Sequence, residues 1–122
     1  MKAVLKNYNQ SPRKMRLIAD MIRGKNLERA LSELRHLPKR GGATFEKLLR
    51  SAYANARAQD SGVTLSLDTL YVKDVRVESG ITLKRSRPRS RGMANPIRRR
   101  RSHIAVTLGE RSSRAKTAGK GN

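Results

Sequence analysis

The feature that most constrains this chain is a run of basic residues between positions 84 and 101 that contains no acidic residue. Like charges in one short segment repel one another in water, so the segment needs a dense array of anions to hold it in one shape. A nucleic-acid backbone is such an array, and arginine suits it because guanidinium bridges two phosphate oxygens and stacks on bases. The run consists of nine residues, eight of them arginine: Lys84, Arg85, Arg87, Arg89, Arg91, Arg98, Arg99, Arg100 and Arg101.

Extended segments flank this run on both sides. From about Leu70 the spacing of hydrophobic residues has a period of two, which is typical of a strand. It places Tyr71, Val75 and Val77 on one side of the strand and Val72 and Arg76 on the other. Residues 103–108 alternate likewise, with Ile104, Val106 and Leu108 facing together.

These two strands predict a hairpin arm over about residues 80–102, with Pro88, Gly92 and Pro96 marking its tip and approaches. The alternative is a solvated charged loop without regular structure. Such a loop needs no strands on its two sides, whereas this run is flanked by two predicted strands. A two-stranded ribbon is marginally stable by itself in water, so we expect the arm to be mobile until a partner holds it.

Upstream of the arm, hydrophobic spacing predicts a short strand over residues 2–8 and three helices. Ser11 and Pro12 begin the first helix, which ends at Gly24 in a left-handed turn. Asn26 caps a second helix that ends before Pro38, and residues 43–60 form a third after the flexible Gly41 and Gly42. The three apolar faces are Met15, Ile18, Ala19 and Ile22, then Leu27, Ala30, Leu31 and Leu34, then Phe45, Leu48, Leu49, Ala52, Tyr53 and Ala56.

The charge of the whole chain is concentrated at its C-terminal end. The net charge is +20 on 122 residues, with 29 basic and 9 acidic residues. We predict one domain over residues 1–110 and a disordered basic tail over residues 111–122, which has no large apolar residue. No apolar run reaches membrane-spanning length, so the sequence predicts a soluble intracellular protein without membrane contact.

The start of the first helix is a second candidate anion site. Free backbone N–H groups, the positive end of the helix dipole and adjacent cationic side chains lie together there, and all three attract anions. A simple helix cap with a polar face is the alternative interpretation. His103 begins the last strand beside four arginines, where contact with RNA and simple packing are equally compatible with the sequence. The residues of the helix site are Ser11, Arg13, Lys14 and Arg16.

No catalytic, metal or cofactor site is predicted. The chain has no cysteine, and its histidines and carboxylates form no cluster with ligand spacing. Aromatic residues are too few to build a stacking platform for single strands, so contact with phosphates and fit to shape must dominate.

The sequence resembles the bacterial form of the large-subunit ribosomal protein twenty-two family over residues 1 to about 110. The resemblance rests on several motifs in combination: Ser11-Pro12-Arg13-Lys14 with Arg16-Leu17, Ile22-Arg23-Gly24-Lys25, Ser51-Ala52-Tyr53-Ala54-Asn55-Ala56, Leu83-Lys84-Arg85 with Arg87-Pro88-Arg89 and Arg91-Gly92, and Ser102-His103-Ile104. It implies an α+β fold of three helices packed on a small three-stranded antiparallel sheet, with a long protruding β-hairpin arm.

The resemblance also implies a place in the cell. The protein is expected to be cytoplasmic, in the large ribosomal subunit, where it binds several domains of the ribosomal RNA early in assembly, beside neighbouring ribosomal proteins. Its arm is expected to thread through RNA, with the tip in the wall of the nascent-peptide exit tunnel. The tip residues nearest the nascent peptide are then Pro88, Arg89, Ser90, Arg91, Gly92 and Met93.

Two other classes of function compete with this interpretation. Architectural DNA-binding proteins also carry Arg- and Pro-bearing β-arms, and Asn95-Pro96 suits a wedge into a minor groove. Such proteins are normally dimers, whereas this chain is not expected to form a homo-oligomer. An RNA-processing enzyme would need an acid/base pair or a metal cluster. The carboxylates Asp60, Asp68, Asp74 and Glu78 are spread among basic residues, a pattern that predicts charge compensation and not acid/base chemistry.

Overall fold

The predicted α+β architecture is confirmed by a computed structural model, which describes residues 1–59 and 65–111. The described part contains three α-helices and five β-strands. In chain order these are β1 (Lys2–Tyr8), α1 (Pro12–Ile22), α2 (Leu27–His36), α3 (Gly41–Gln59), β2 (Leu70–Ser79), β3 (Leu83–Pro88), a 3₁₀ turn (Ser90–Gly92), β4 (Ala94–Arg99) and β5 (Ser102–Glu110).

The strands form two separate antiparallel sheets. The larger sheet has the order β1-β5-β2, so the last strand lies in the centre, and β3 pairs only with β4. Ile104 pairs with Leu5 on one side and Val77 on the other. The predicted pairing of the two strands that flank the basic run is therefore confirmed, and the run itself lies on the hairpin that extends from them.

The helices cover one face of the larger sheet and enclose a single cluster of buried side chains. Full burial of an aliphatic or aromatic side chain stabilises a fold by about 1.5–3 kcal/mol, so these residues hold the body together. The largest fully buried side chains are Phe45, Met15, Ile18, Ile22, Leu27, Leu34, Leu49, Leu70, Ile104, Val72, Val75 and Val106.

The face assignment predicted for β2 is wrong in its first half. Val72 is fully buried, whereas Tyr71, which was expected on the buried side with Val75 and Val77, is only half-buried. A β-bulge between Val72 and Asp74 inserts an extra residue opposite β5 and shifts the register. Because side chains alternate along a strand, one inserted residue exchanges the two faces on either side of it.

Gly41 and Gly42, expected to be a flexible link before α3, instead lie buried in its first turn. A side-chain carbon added at Gly41 would lie 2.6 Å from Ile18 Cδ1, so the glycine lets α3 pack closely on α1. The predicted start of α1 at Pro12 is confirmed, but within the described residues the Ser11 side chain makes no capping hydrogen bond. Gly24 has φ +81°, the left-handed conformation expected where α1 ends.

Two predictions lie partly outside the described residues. They are the last residue of the 43–60 helix and the state of the tail from residue 112 onward. Arg111 is described: its backbone N–H donates to Thr69 O at 2.9 Å, and its guanidinium lies 5.4 Å from the centre of the Tyr71 ring.

Candidate nucleic-acid interface

The arm presents its basic residues to solvent on a regular two-stranded ribbon. Of the nine residues in the basic run, Arg101 is half-buried and the others are exposed. Six ion pairs occur within residues 1–59 and 65–111, and every one of them lies outside residues 83–101. The positive charge of the arm therefore has no carboxylate to offset it within the described chain.

The register of the arm decides which basic residues share a face. Side chains of directly opposed residues in an antiparallel pair project to the same side. Arg85 is opposite Ile97, Arg87 is opposite Asn95, and Arg99 is opposite Leu83, so the three arginines lie on one face, which we call the guanidinium face.

The other face of the arm has a different character. Near the root, Lys84 is directly opposite Arg98, which sets two like charges side by side. Toward the tip the opposed pairs are Ser86 with Pro96 and Pro88 with Ala94, all of them small and exposed. We call these four residues the slim patch.

The tip is a tight loop closed by backbone hydrogen bonds. The N–H of Arg89 donates to Met93 O at 2.7 Å, and the N–H of Met93 donates to Ser90 O at 3.4 Å. Arg91 (φ 62°, ψ 33°) and Gly92 (φ +68°) both adopt the left-handed conformation. For a non-glycine residue that conformation costs about 1–2 kcal/mol, so the loop holds Arg91 under backbone strain at the end of the arm.

The root of the arm joins the body through few backbone contacts. Gly80 N–H donates to Arg101 O at 2.7 Å, between the last β2–β5 pair, Ser79 with Ser102, and the first pair of the arm. His103 lies on β5 just past this junction, and its Nδ1 accepts the backbone N–H of Asn7 at 3.0 Å.

The structure brings the start of α1 and the root of the arm together, two places that the sequence presented as separate candidates. They line one surface cavity of about 350 Å³, and its walls are Ser11, Pro12, Arg13, Arg16, Ser79 and Arg100. Arg13, Arg16 and Arg100 are cationic, and Pro12 begins α1 at this point, so the positive end of the helix dipole adds to their potential. Lys14 is exposed on the same helix turn but does not line the cavity.

Arg16 also has a structural contact that the sequence did not indicate. Its Nε and Nη2 both donate to the carbonyl oxygen of Val77 at 3.3 Å, on the edge of β2 that no strand of the described residues covers. Arg23 donates in the same way to Val75 O at 2.7 Å. Ser79 was not predicted either, since a single serine at a strand end gives no signal before the strand is placed.

Six of the eight acidic residues that the structure describes lie close to a basic side chain or to another carboxyl: Asp20, Glu28, Glu33, Glu46, Asp68 and Asp74. Glu46 contacts Arg50 at 2.6 Å and Arg35 at 3.6 Å. A hydrogen bond from Lys25 lowers the pKa of Glu33 below its ordinary value. Hydrogen bonding and repulsion between the carboxyls of Asp68 and Glu28 raise the pKa of Glu28.

Neither a metal-ligand cluster nor a membrane-spanning helix occurs in the described residues. No group of three or more His, Cys, Asp or Glu side chains in residues 1–59 and 65–111 is arranged to hold a metal ion. None of the helices in that part of the chain is long and apolar enough to cross a membrane.

Comparison with known proteins agrees with the resemblance found in the sequence. The family model described as ribosomal protein L22p/L17e matches residues 3–109. The large ribosomal subunit protein uL22 of Flavobacterium johnsoniae is 46% identical over 107 residues, which cover 88% of this chain and 78% of that protein. The proteins of the same name from Desulfotalea psychrophila and Acetivibrio thermocellus are 43% and 44% identical, covering 89% and 91% of this chain and 96% and 86% of those proteins.

Proposed function

Since this chain belongs to the ribosomal protein L22p/L17e family, a family of structural and not catalytic proteins, we propose that it is built into the large ribosomal subunit of the bacterial cytoplasm and binds its RNA. The observation that carries the RNA-binding proposal is the arm: a folded ribbon of exposed basic residues with no carboxylate among them. Membership of a ribosomal family also favours RNA over the DNA considered from sequence. The proposed RNA contacts are Ser11, Arg13, Lys14, Arg16, Lys84, Arg85, Arg87, Arg89, Arg91, Arg98, Arg99, Arg100, Arg101 and His103.

The physical role of the arm is to join stretches of RNA that repel one another. Each exposed guanidinium that approaches a phosphate releases bound counterions, which is the main source of affinity for a polyanion. The same side chains repel each other when the RNA is absent, so binding to RNA stabilises the folded ribbon. This coupling suits a protein that acts while the RNA is folding.

The cavity between α1 and the arm root is proposed as a second phosphate site. Arg13 lies on α1 and Arg100 lies between β4 and β5, and the helix dipole adds to the positive field of the two side chains. A phosphate held there would fix the direction in which the arm leaves the body. This gives the family motif at Ser11-Pro12-Arg13-Lys14 a role beyond starting a helix.

The tip is proposed to line the exit tunnel next to the nascent peptide, as the family resemblance implies. Residues 88–93 are all exposed at the far end of the arm, and their loop is closed by its own hydrogen bonds, so it needs no support from the body. These properties suit a segment that reaches through RNA to a water-filled space.

RNA binding is tested by the salt dependence of affinity for a transcript of the large-subunit ribosomal RNA. The logarithm of the association constant falls by roughly 0.7–0.9 per phosphate neutralised, so the nine basic residues of the arm alone contribute a slope of about 6–8. The matched control is duplex DNA at the same salt concentrations. Equal affinity for the two nucleic acids would overturn the proposal in favour of general polyanion binding.

Placement of the arm is tested by crosslinking inside intact ribosomes. Photoreactive groups at positions 85, 89 and 93 sample the middle of the arm, the start of the tip and the end of the tip. We expect RNA crosslinks from positions 85 and 89, and crosslinks from position 93 to a stalled nascent chain. Crosslinks from position 93 only to proteins on the outer surface would contradict the tunnel placement.

A further inference from the structure

The outer edge of β2 is paired with another stretch of backbone only at its start. There the N–H of Gly24 donates to Val72 O at 2.8 Å, and the N–H of Val72 donates to Lys25 O at 2.9 Å, so the loop after α1 covers the edge. From Asp74 to the end of the strand, no backbone segment of the described residues pairs with this edge. Half of the edge is therefore open to a further strand.

The backbone groups of Val75 and Val77 point outward along this open half. The N–H of Gly80 bonds to Arg101 O on the β5 side, and hydrogen-bonded and non-hydrogen-bonded positions alternate along an antiparallel pair. By this alternation Val77 and Val75 occupy non-hydrogen-bonded positions, so their N–H groups face away from β5. Both carbonyls accept arginine side chains, but neither N–H has an acceptor within the described residues. The edge therefore presents two unpaired donors about 6.8 Å apart.

A surface groove of about 490 Å³ between this edge and α1, which we call the β2 groove, differs in charge from the arm. Its charged wall residues are three basic and three acidic ones: Arg16, Arg23, Arg76, Asp20, Asp74 and Glu78. The cavity at the start of α1, by contrast, is lined by three arginines and no carboxylate. Because carboxylates repel a phosphate backbone, the β2 groove suits a protein segment better than RNA.

The two arginines at this edge keep other partners when a strand takes their place. Arg23 Nη1 lies 2.8 Å from Asp20 Oδ1, a contact that does not involve β2. Arg16 also lines the cavity at the start of α1, which is the proposed phosphate site. Both side chains are exposed, so moving them away from the carbonyls of β2 leaves neither cation buried. The arginines therefore protect the edge of the free protein without closing it to a partner.

The side chains that border the open edge indicate the charge of the partner. Alternate residues of a strand share a face, so Asp74, Arg76 and Glu78 lie together on the side of the sheet that the helices leave uncovered. Arg76 Nε contacts Asp74 Oδ2 at 3.3 Å, whereas Glu78 has no ion pair within the described residues. A strand added at this edge places one of its side chains beside Glu78, and a basic side chain is favoured there.

We propose that an extended segment of a neighbouring ribosomal protein adds to the larger sheet at the open edge of β2, with a basic side chain beside Glu78. This inference rests on the proposed function, because the neighbour is met only within the large ribosomal subunit. Backbone carbonyls of the segment accept the N–H groups of Val75 and Val77, and its own N–H groups replace the two arginines at the carbonyls. Main-chain pairing of this kind supplies affinity, and the side chains beside it supply specificity.

Crosslinking inside intact large subunits tests the class of partner. A photoreactive group replaces Arg76, which is exposed in the wall of the β2 groove, and we expect it to join the chain to a ribosomal protein. Glu78→Lys should lower the yield of that product by at least about 2-fold, because it sets like charges side by side. Glu110→Lys changes the net charge equally on β5, opposite Leu70, and should leave the yield unchanged. Products with RNA, or a higher yield in Glu78→Lys, would assign the groove to RNA and overturn the proposal.

Hydrogen exchange of single amides, measured by fragmentation mass spectrometry, tests the strand pairing itself. The N–H groups of Val75 and Val77 should exchange about 2-fold to 10-fold more slowly in the large subunit than in the free protein, the effect of one net hydrogen bond. The N–H groups of Arg76 and Glu78 face β5 in both states and are the matched controls, which should change less. Unchanged exchange at Val75 and Val77, or equal slowing at all four positions, overturns the strand addition. Absence of the chain from large subunits overturns the proposed function itself, so the two failures are distinguishable.

Discussion

The like charges that the register places side by side at the arm root lead to a quantitative prediction. Lys84 lies directly opposite Arg98, and a like-charge pair in that position destabilises a ribbon, whereas an opposite-charge pair stabilises it by about 0.2–1 kcal/mol. Arg98→Glu replaces the like-charge pair with an opposite-charge pair. The folded arm of the free protein should therefore be stabilised by about 0.4–2 kcal/mol. That range corresponds to a decrease of about 2-fold to 30-fold in the opening equilibrium of the arm.

Hydrogen exchange of the arm amides measures this gain, because exchange reports local opening and leaves the body as an internal reference. Arg100→Glu is the matched control: it changes the net charge equally, but Arg100 lies between β4 and β5, outside the ladder of the arm. We expect protection of residues 83–88 and 94–99 to rise in Arg98→Glu and to stay near the wild-type value in Arg100→Glu. An equal rise in both would show that total charge, and not the cross-strand pair, sets the stability of the arm.

Four further substitutions test the fold and the tip. Asn26→Ala should lower the free energy of unfolding, measured with denaturant, by about 1 kcal/mol, because the Asn26 side chain caps α2. Ser11→Ala should lower it by less than about 0.5 kcal/mol, because the Ser11 side chain makes no capping hydrogen bond. Gly41→Ala should destabilise the fold by about 1 kcal/mol. The added methyl group crowds Ile18, which costs about 1–3 kcal/mol, and this cost exceeds the gain of about 0.5–1 kcal/mol in helix propensity. A more stable variant would contradict this packing. Arg91→Gly should relieve about 1 kcal/mol of backbone strain, seen as slower hydrogen exchange in the arm, and unchanged exchange would mean that the turn is not strained.

Much of the body could be predicted from sequence because several local signals agree. Asn26 precedes an apolar face with helical spacing, and the side chain of Asn26 accepts the N–H of Glu28 at 3.2 Å, as expected of a cap. The two errors have one physical origin. The bulge after Val72 and the burial of Gly41 are decided by contacts between elements that are distant in sequence, and a local pattern does not contain them.

For the candidate site too, features set by nearby sequence could be predicted, and features set by contacts between distant segments could not. The basic run predicted an arm with exposed arginines, because charge without compensating acids has to remain in solvent. It did not predict which arginines share a face, since that depends on register, and the loop between Arg89 and Met93 sets the register. Nor did it predict that Arg100 would line the same cavity as Arg13, which requires the path of β5 through the sheet.

Arg16 shows why a basic residue in this chain need not belong wholly to the RNA interface. β2 is an edge strand, and an edge with free carbonyl groups invites pairing with another chain. Arg16 and Arg23 donate to the carbonyls of Val77 and Val75 along that edge, so each protects the sheet with nitrogen atoms that are then unavailable for phosphate. Arg16 also lines the cavity near the α1 start, and replacing it should therefore lower the stability of the fold as well as RNA affinity. Arg13, which has no such contact with the edge of β2, should affect affinity alone, and a loss of stability in Arg13→Gln equal to that in Arg16→Gln would contradict this separation.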